Sequence, residues 1–176
     1  GMIPARHYFL GGAAMLAGLI VAANLAVAAP QAMTVPDGFT FAAGGDMIGP
    51  YHDLPKPQDP GFAQVAALLR GADVAYANQE GSIFDIKDFR GYPAAENGGG
   101  YPLQRSAFAR DIKSMGISLV SKANNHATDW GSDGLAATIG WLTAAGVTQA
   151  GAGEGLDAAR APAYLQTVKG RVALVS

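Results

Sequence analysis

The sequence contains no cysteine, and this absence excludes two kinds of chemistry. A chain of 176 residues without cysteine forms no disulfide and has no thiolate for zinc binding or nucleophilic catalysis. Charged residues are also sparse, at 15% of the chain with a net charge of −2. Because no basic face is concentrated anywhere, nucleic acid is not an expected partner. The length is sufficient for one domain with a sizeable core, and stability must come from that core.

Two common signatures of enzyme sites are missing as well. The glycine-rich stretch 151–155 lacks the spacing and the lysine of a Walker motif and is not a dinucleotide fingerprint. It precedes a short helix and could hold an anion, although glycines in this position more often make a tight turn. Ser82, Ser118 and Ser121 lack the sequence context of a nucleophile elbow. Serine hydrolase chemistry is therefore set aside.

Charge is absent from the first part of the chain, between Arg6 and Asp37. This gap contains an apolar run that ends in Ala26-Val27-Ala28, a small-residue pattern typical of signal peptidase sites. We expect residues 1–28 to be a signal peptide, with the exported form beginning at or near Ala29; a retained membrane anchor is the alternative. The protein is then exported in a bacterium, to the periplasm, the extracellular space or the envelope.

The rest of the chain divides into a linker over residues 29–38 and a domain over residues 39–176. Apolar strand candidates alternate with helical patterns at least three times, which predicts an α/β fold with a mostly parallel sheet covered by helices. Residues 81–104 are predicted to be a long loop, and residues 85–104 to be the least ordered part of the domain. The chain stops within an apparent strand at Ser176, which suggests that the sequence is truncated. The predicted strands are Phe39–Ala43, Val74–Ala77, Ile117–Ser121 and Val147–Ala150, and a hairpin is predicted around Lys169-Gly170.

Polar side chains follow three of these strands. Asp46 follows the first, Asn78 and Glu80 follow the second, and the third is followed by Asn124, Asn125 and His126, with Asp129 three residues later. In a parallel sheet these positions share one rim, where ligands bind. Carboxylates, amide oxygens and imidazole together suit Mn²⁺, Fe²⁺, Zn²⁺ or Mg²⁺.

Each of these residues also has a purely structural interpretation. Asp46 could cap a turn after its two glycines, and Asn124-Asn125 could form a turn in left-handed backbone. Asp129 or Ser132 could cap the following helix. The functional interpretation is favoured only because all of the positions are expected at one rim.

The motifs in this order resemble the CapA-type family of poly-γ-glutamate capsule biosynthesis proteins, whose fold is similar to that of calcineurin-like metallophosphoesterases. The resemblance covers residues 39–176 and implies the first part of a two-sheet α-β-β-α sandwich. Its most specific part is Asn124-Asn125-His126 with Asp129 and Gly131. The other motifs are Gly45-Asp46-Met47-Ile48-Gly49, Asn78-Gln79-Glu80-Gly81 and Gly151-Ala152-Gly153.

The resemblance implies a divalent metal site formed by Asp46, Glu80, Asn125 and His126. His126 would also be the catalytic residue near the substrate oxygen, and Asn78, Asn124 and Asp129 would be accessory residues. One departure is that the phosphoesterases carry a histidine two residues after the first aspartate, where this chain has Ile48. His52, in a proline-rich loop, is expected to be a solvated histidine rather than a ligand.

The implied function is synthesis, export or retention of an anionic extracellular polymer, through metal-dependent hydrolysis. The partners would be that polymer or a phosphoester substrate, together with a membrane synthase complex. Tyr92 and Tyr101 could contact a polymer chain, or could simply lie in an exposed loop. The alternative function is a non-catalytic module that binds polymer or partner proteins, and Ile48 favours it.

Overall fold

The structure is a computed structural model and describes residues 37–49, 59–94 and 101–176. The predicted signal or anchor, His52 and most of the linker lie outside the described residues, as does the glycine triplet Gly98–Gly100. In chain order the elements are β1 (Phe41–Asp46), α1 (Pro60–Gly71), β2 (Val74–Asn78), β3 (Ser82–Ile83), β4 (Leu103–Gln104), α2 (Phe108–Ser114), β5 (Ile117–Ser121), α3 (Gly131–Ala144), β6 (Thr148–Ala150), α4 (Leu156–Arg160), β7 (Ala163–Thr167) and β8 (Gly170–Leu174). None of the described helices combines the length and the apolar character needed to cross a bilayer.

The main sheet has four strands in the order β1-β2-β5-β6. All three strand pairs are parallel, because α1, α2 and α3 each return the chain to the same edge before the next strand. The predicted α/β class with a mostly parallel sheet is confirmed. The predicted hairpin is confirmed as the antiparallel pair β7–β8.

The core lies between the sheet and its helices. Ala75, Ala77 and Ile117 of the strands are at most 1% exposed and pack with Ile112 of α2 and Leu142 of α3, which are fully buried. Apolar burial of this kind contributes about 25 cal/mol for each Å² removed from water. The sheet is thereby held rigidly enough to fix the positions of the residues that follow its strands.

The first strand differs from its prediction at both ends. It was expected over Phe39–Ala43 and instead runs from Phe41 to Asp46, with an irregularity in its pairing with β2 between Ala43 and Asp46. Gly44 and Gly45 allow this bulge because they carry no side chain. Asp46 is therefore the last residue of the strand, not a residue of the following turn.

Helix α1 begins at Pro60, directly after a capping aspartate. The Asp59 carboxylate accepts hydrogen bonds from the backbone N–H groups of Gly61 and Phe62, at 2.8 and 3.2 Å, and caps the helix. The face with Val65, Leu68 and Leu69 is only partly inward: Leu69 packs against the core, whereas Leu68 is 75% exposed. The residue of this helix that is fully buried is Ala66.

The predicted loop over residues 81–104 is wrong at both ends. Its first and last residues pair as the short parallel strands β3 and β4, and Gln104 is fully buried. Between them, Phe84 stacks on Phe89 with ring centroids 4.0 Å apart, and both rings contact Trp130 edge-on. These aromatic contacts were missed because the sequence gives no sign that the loop folds back onto the start of α3.

Candidate metal centre

The carboxyl ends of the strands are joined by backbone hydrogen bonds just beyond the sheet. The N–H group of Met47 donates to the Asn78 carbonyl at 2.7 Å, and that of Gln79 donates to the Ser121 carbonyl at 3.0 Å. The N–H group of Lys122 donates to the Ala150 carbonyl at 2.8 Å. Each strand therefore delivers its next residues to the same rim, as expected for a parallel sheet.

Asn78 connects the two carboxylates of the first two strands. Its side-chain NH₂ group donates to Oδ1 of Asp46 at 2.9 Å and to Oε2 of Glu80 at 3.1 Å. Asp46 is exposed, whereas the Glu80 side chain is only 12% exposed. The suggestion that Asp46 caps a turn is wrong, since its carboxylate accepts from Asn78 across the strand pair. One amide thus occupies the position between two negative charges.

Asn124 extends this arrangement to the third strand. Its NH₂ group donates to Oδ1 of Asn78 at 3.0 Å and to the Gln79 carbonyl at 2.9 Å. Its own Oδ1 accepts from the His126 backbone N–H at 3.2 Å and shapes the turn that presents the imidazole. None of the described non-glycine residues has a positive φ, so the expectation of left-handed backbone at Asn124-Asn125 is wrong.

His126 lies between two buried carboxylates. Its Nδ1 atom is 2.7 Å from Oδ2 of Asp129, and its Nε2 atom is 3.7 Å from Oε1 of Glu80. Asp129 does not cap α3, whose N-cap residue is Trp130 and has no capping side chain. Because an ionised carboxylate can only accept, Asp129 favours a proton on Nδ1 and leaves the Nε2 lone pair free on the neutral ring.

Asn125, by contrast, is not part of the hydrogen-bonded network. Its side chain is exposed and forms no hydrogen bond with another described residue. The structure therefore brings together Asp46, Asn78 and Glu80 with Asn124, and places His126 beside Glu80. The connection of Asn125 to this set is through the chain only.

Lys122 is a residue of this rim that sequence reasoning missed. It is fully buried, and its Nζ atom donates to the carbonyls of Gln79, Glu80 and Gly81 at 3.1, 3.1 and 2.9 Å. Burial lowers the pKa of its ammonium group to about 8, against the opposing effect of the negative charges of Asp129 and Glu80. The only signal in the sequence is a lysine directly after a buried strand.

The donor atoms at the rim are of the kinds that bind divalent cations, but the acidic and histidine side chains there are few. Across the described ranges, no three or more histidine, aspartate and glutamate side chains are arranged to hold a metal ion. The rim offers two carboxylates, amide oxygens and the Nε2 lone pair of His126. Such mixed oxygen and nitrogen donors suit Mn²⁺, Fe²⁺, Zn²⁺ or Mg²⁺.

Two hollows lie next to this rim, at the start of α3. The larger, about 270 Å³, is lined by Asp133, Leu135, Ile139 and Glu154 among others. The smaller, about 80 Å³, lies between Tyr92, Trp130 and Asp133. Since none of the predicted metal ligands lines either hollow, they are adjacent surfaces and not the metal centre itself.

The backbone conformation and close packing at position 151 explain why this residue is glycine, without any bound anion. Its φ is +94°, and a Cβ atom there would lie 2.6 Å from Cβ of Ala123. The tight-turn interpretation is therefore confirmed. Helix α4, which follows, has only five residues.

Comparison with known proteins gives a family and two relatives. The family of bacterial capsule synthesis proteins, PGA_cap, matches residues 31–176. The uncharacterized proteins y4sH and y4uA of Sinorhizobium fredii (strain NBRC 101917 / NGR234) are each 43% identical over 139 residues. This alignment covers 79% of the chain but 30% of each relative, so the chain spans about a third of the length of these relatives.

Proposed function

Because the chain belongs to the bacterial capsule synthesis protein family, we propose that it acts in the synthesis, export or retention of an anionic extracellular polymer, such as poly-γ-glutamate. The family assignment supports a role related to capsule synthesis. The finer proposal is that the protein is exported, works with a membrane synthase complex, and hydrolyses the polymer or a phosphoester with the help of a divalent metal.

The observation that carries the catalytic proposal is the pairing of His126 with Asp129 beside Glu80. The Asp129 carboxylate fixes the imidazole through Nδ1 at 2.7 Å, and Nε2 then faces the Glu80 carboxylate at 3.7 Å. A carboxylate behind an imidazole is a common support both for metal-ligating histidines and for acid–base histidines. Purely structural histidines do not require a second carboxylate in front of the ring.

In this proposal Asp46, Glu80, Asn125 and His126 hold the metal. A divalent cation bound there would supply Lewis-acid polarisation of the group to be cleaved. In the structure the Asn78 amide donates to the carboxylates of Asp46 and Glu80. It must give up these hydrogen bonds when the two carboxylates bind a cation. Asn125 is exposed and free to turn its side-chain oxygen toward the same position.

The protein groups themselves would position the substrate and handle one proton. A metal-bound Nε2 has no lone pair left for a proton. Proton transfer to the leaving oxygen by Nε2 of His126, with Asp129 stabilising the imidazolium form, is therefore the alternative to its role as a ligand. Ile48 supplies no ligand where the phosphoesterases carry histidine, so we expect at most one metal, loosely held, and weak hydrolysis. Tyr92, which is 78% exposed and borders the smaller hollow, is available to contact a polymer.

A second candidate function is binding of polymer or partner proteins without catalysis. Two observations favour it: Ile48 is 56% exposed at the rim, and no group of acidic and histidine side chains in the described ranges is arranged for a metal. In this case the hydrogen-bonded rim would be a rigid platform, and Asn78 would keep its present bonds.

The test is hydrolysis of poly-γ-glutamate and of phosphomonoesters and phosphodiesters by the purified chain, with and without added Mn²⁺. The proposal predicts slow hydrolysis that requires Mn²⁺ and is lost in Asp46→Asn and His126→Asn. Asp88→Asn is the control, because this aspartate is exposed and pairs with its exposed neighbour Lys87. Polymer binding without any hydrolysis would favour the second function.

A further inference from the structure

Lys122 is held in an unusual way for a buried lysine. Its ammonium group contacts three consecutive backbone carbonyls, those of Gln79, Glu80 and Gly81, at 2.9 to 3.1 Å. An ammonium group has three N–H donors and no acceptor, so these three bonds satisfy it completely. The segment 79–81 therefore curves around Nζ much as backbone carbonyls curve around a bound cation.

The carbonyls in turn depend on this ammonium group. Gln79 is fully buried and Glu80 nearly so, and buried carbonyls without a donor are costly. The Gln79 carbonyl has a second donor in the NH₂ group of Asn124, and the Gly81 carbonyl has one in the side-chain NH₂ group of Gln79 at 3.3 Å. Among the described residues, Lys122 is the one donor to the Glu80 carbonyl. Without Lys122, the Glu80 carbonyl would have to turn toward another partner, and the backbone that carries the Glu80 carboxylate would turn with it.

Lys122 also places a positive charge near two buried carboxylates. The carboxylates of Glu80 and Asp129 both act on its ammonium and are themselves 12% and 7% exposed. A buried carboxylate needs a nearby positive charge or several donors. The lysine supplies that charge while its ammonium group donates to backbone carbonyls and to neither of the two carboxylates.

We propose that Lys122 is a positioning residue: its ammonium group acts as a built-in cation that fixes the segment 79–81 and so sets the Glu80 carboxylate against Asn78 and His126. The function of the positioned carboxylate rests on the metal site proposed above. The placement of the segment does not, because it can be observed in the metal-free chain.

The experiment compares three variants of the full chain. Lys122→Met keeps an unbranched side chain of similar size and removes the donors. Lys122→Ala leaves space for propylammonium, which has the atoms that the substitution removes. Lys113→Met is the matched control, because Lys113 donates to a single carbonyl, that of Gly146, at an exposed site.

Two readouts are taken: Mn²⁺ affinity by calorimetry, and the backbone amide NMR signals of residues 78–82 without metal. We expect Lys122→Met to lose roughly 10- to 100-fold in Mn²⁺ affinity, as for other groups that support metal ligands, and Lys113→Met to bind like the unchanged protein. The amide signals should shift in Lys122→Ala and return with propylammonium, but not with 1-propanol.

The two proposals fail in different ways. If the unchanged protein binds no Mn²⁺, the metal site is wrong, and the role of Lys122 is then decided by the metal-free spectra alone. The positioning role is overturned if the amide signals of 79–81 do not move in Lys122→Ala. It is also overturned if propylammonium restores no more than 1-propanol does.

Discussion

The Nδ1 atom of His126 lies 2.7 Å from Oδ2 of Asp129, three residues later in the chain. Both residues precede α3, and the aspartate side chain is only 7% exposed. This contact decides which imidazole nitrogen can act on a ligand. Since the carboxylate engages Nδ1, the atom left to meet a metal or a proton is Nε2, which faces Glu80.

The first prediction concerns this contact. Asp129→Ala should weaken Mn²⁺ binding by roughly 10- to 100-fold, because a histidine ligand loses its orientation and its tautomer preference. The Mn²⁺ affinity of Asp129→Asn, which keeps an oxygen acceptor, should lie between those of the unchanged protein and Asp129→Ala. Nitrogen-15 spectra of the neutral ring should show the proton on Nδ1 in the unchanged protein and a mixture of the Nδ1–H and Nε2–H tautomers in Asp129→Ala. The control is Asp133→Ala, which changes an exposed aspartate in the first turn of α3. An equal loss of Mn²⁺ affinity in this control would contradict a specific role of Asp129.

The second prediction concerns the attachment of β3 to α3. The fully buried hydroxyl of Thr138 accepts from the Ile83 N–H at 2.9 Å and donates to the Gly134 carbonyl at 2.7 Å. Thr138→Val preserves the shape but leaves that N–H without an acceptor, at a cost of about 1–3 kcal/mol. Thr138→Ser keeps the hydroxyl and should lose about 0.8 kcal/mol for the missing methyl group. Urea unfolding measures both, and a Val variant as stable as the Ser variant would contradict the assignment.

The third prediction is a pH dependence. Hydrogen bonds from Ser106, at 2.5 Å from Oγ and 3.3 Å from the backbone N–H, hold the pKa of Asp85 below its ordinary value. A lowered carboxyl pKa adds stability that is fully present above the unfolded pKa of about 3.9 and is lost as pH falls through the folded value. Ser106→Ala should therefore cost about 1 kcal/mol at neutral pH, and the difference should shrink below about pH 4.

The control for this titration is Ser114→Ala, which removes a hydroxyl that donates to the neutral carbonyl of Asp111. Its effect on the free energy of unfolding should not change over the same acidic range. A constant cost for Ser106→Ala down to pH 2 to 3 would show that Asp85 is not the titrating partner.

Much of the fold was predictable because local signals and the final packing agree. β5 has the predicted bounds, and the strand and helix alternation that predicts a parallel sheet is the observed one. The errors occur where distant residues decide the structure. Residues 81–104 were predicted to be one loop, but Ser82–Ile83 and Leu103–Gln104 pair with each other as β3 and β4.

At the rim, sequence reasoning identified the strand-end residues but not how they bond. The amide of Asn78 between two carboxylates, and the lysine beneath them, depend on side-chain positions across strands that no spacing along the chain reveals. Lys122 in particular looks like an ordinary surface lysine until the strand before it and the segment 79–81 are placed together. The metal ligands themselves remain a prediction.

The most direct test of the central claim is a crystal structure of the chain soaked with excess Mn²⁺, with the metal located by anomalous scattering. The account predicts one Mn²⁺ at the rim, with the carboxylates of Asp46 and Glu80, the side-chain oxygen of Asn125 and Nε2 of His126 about 2 Å from it, and with the Asn78 amide turned away from the carboxylates. Absence of Mn²⁺ from the rim, with Asn78 still donating to both Asp46 and Glu80, would contradict it.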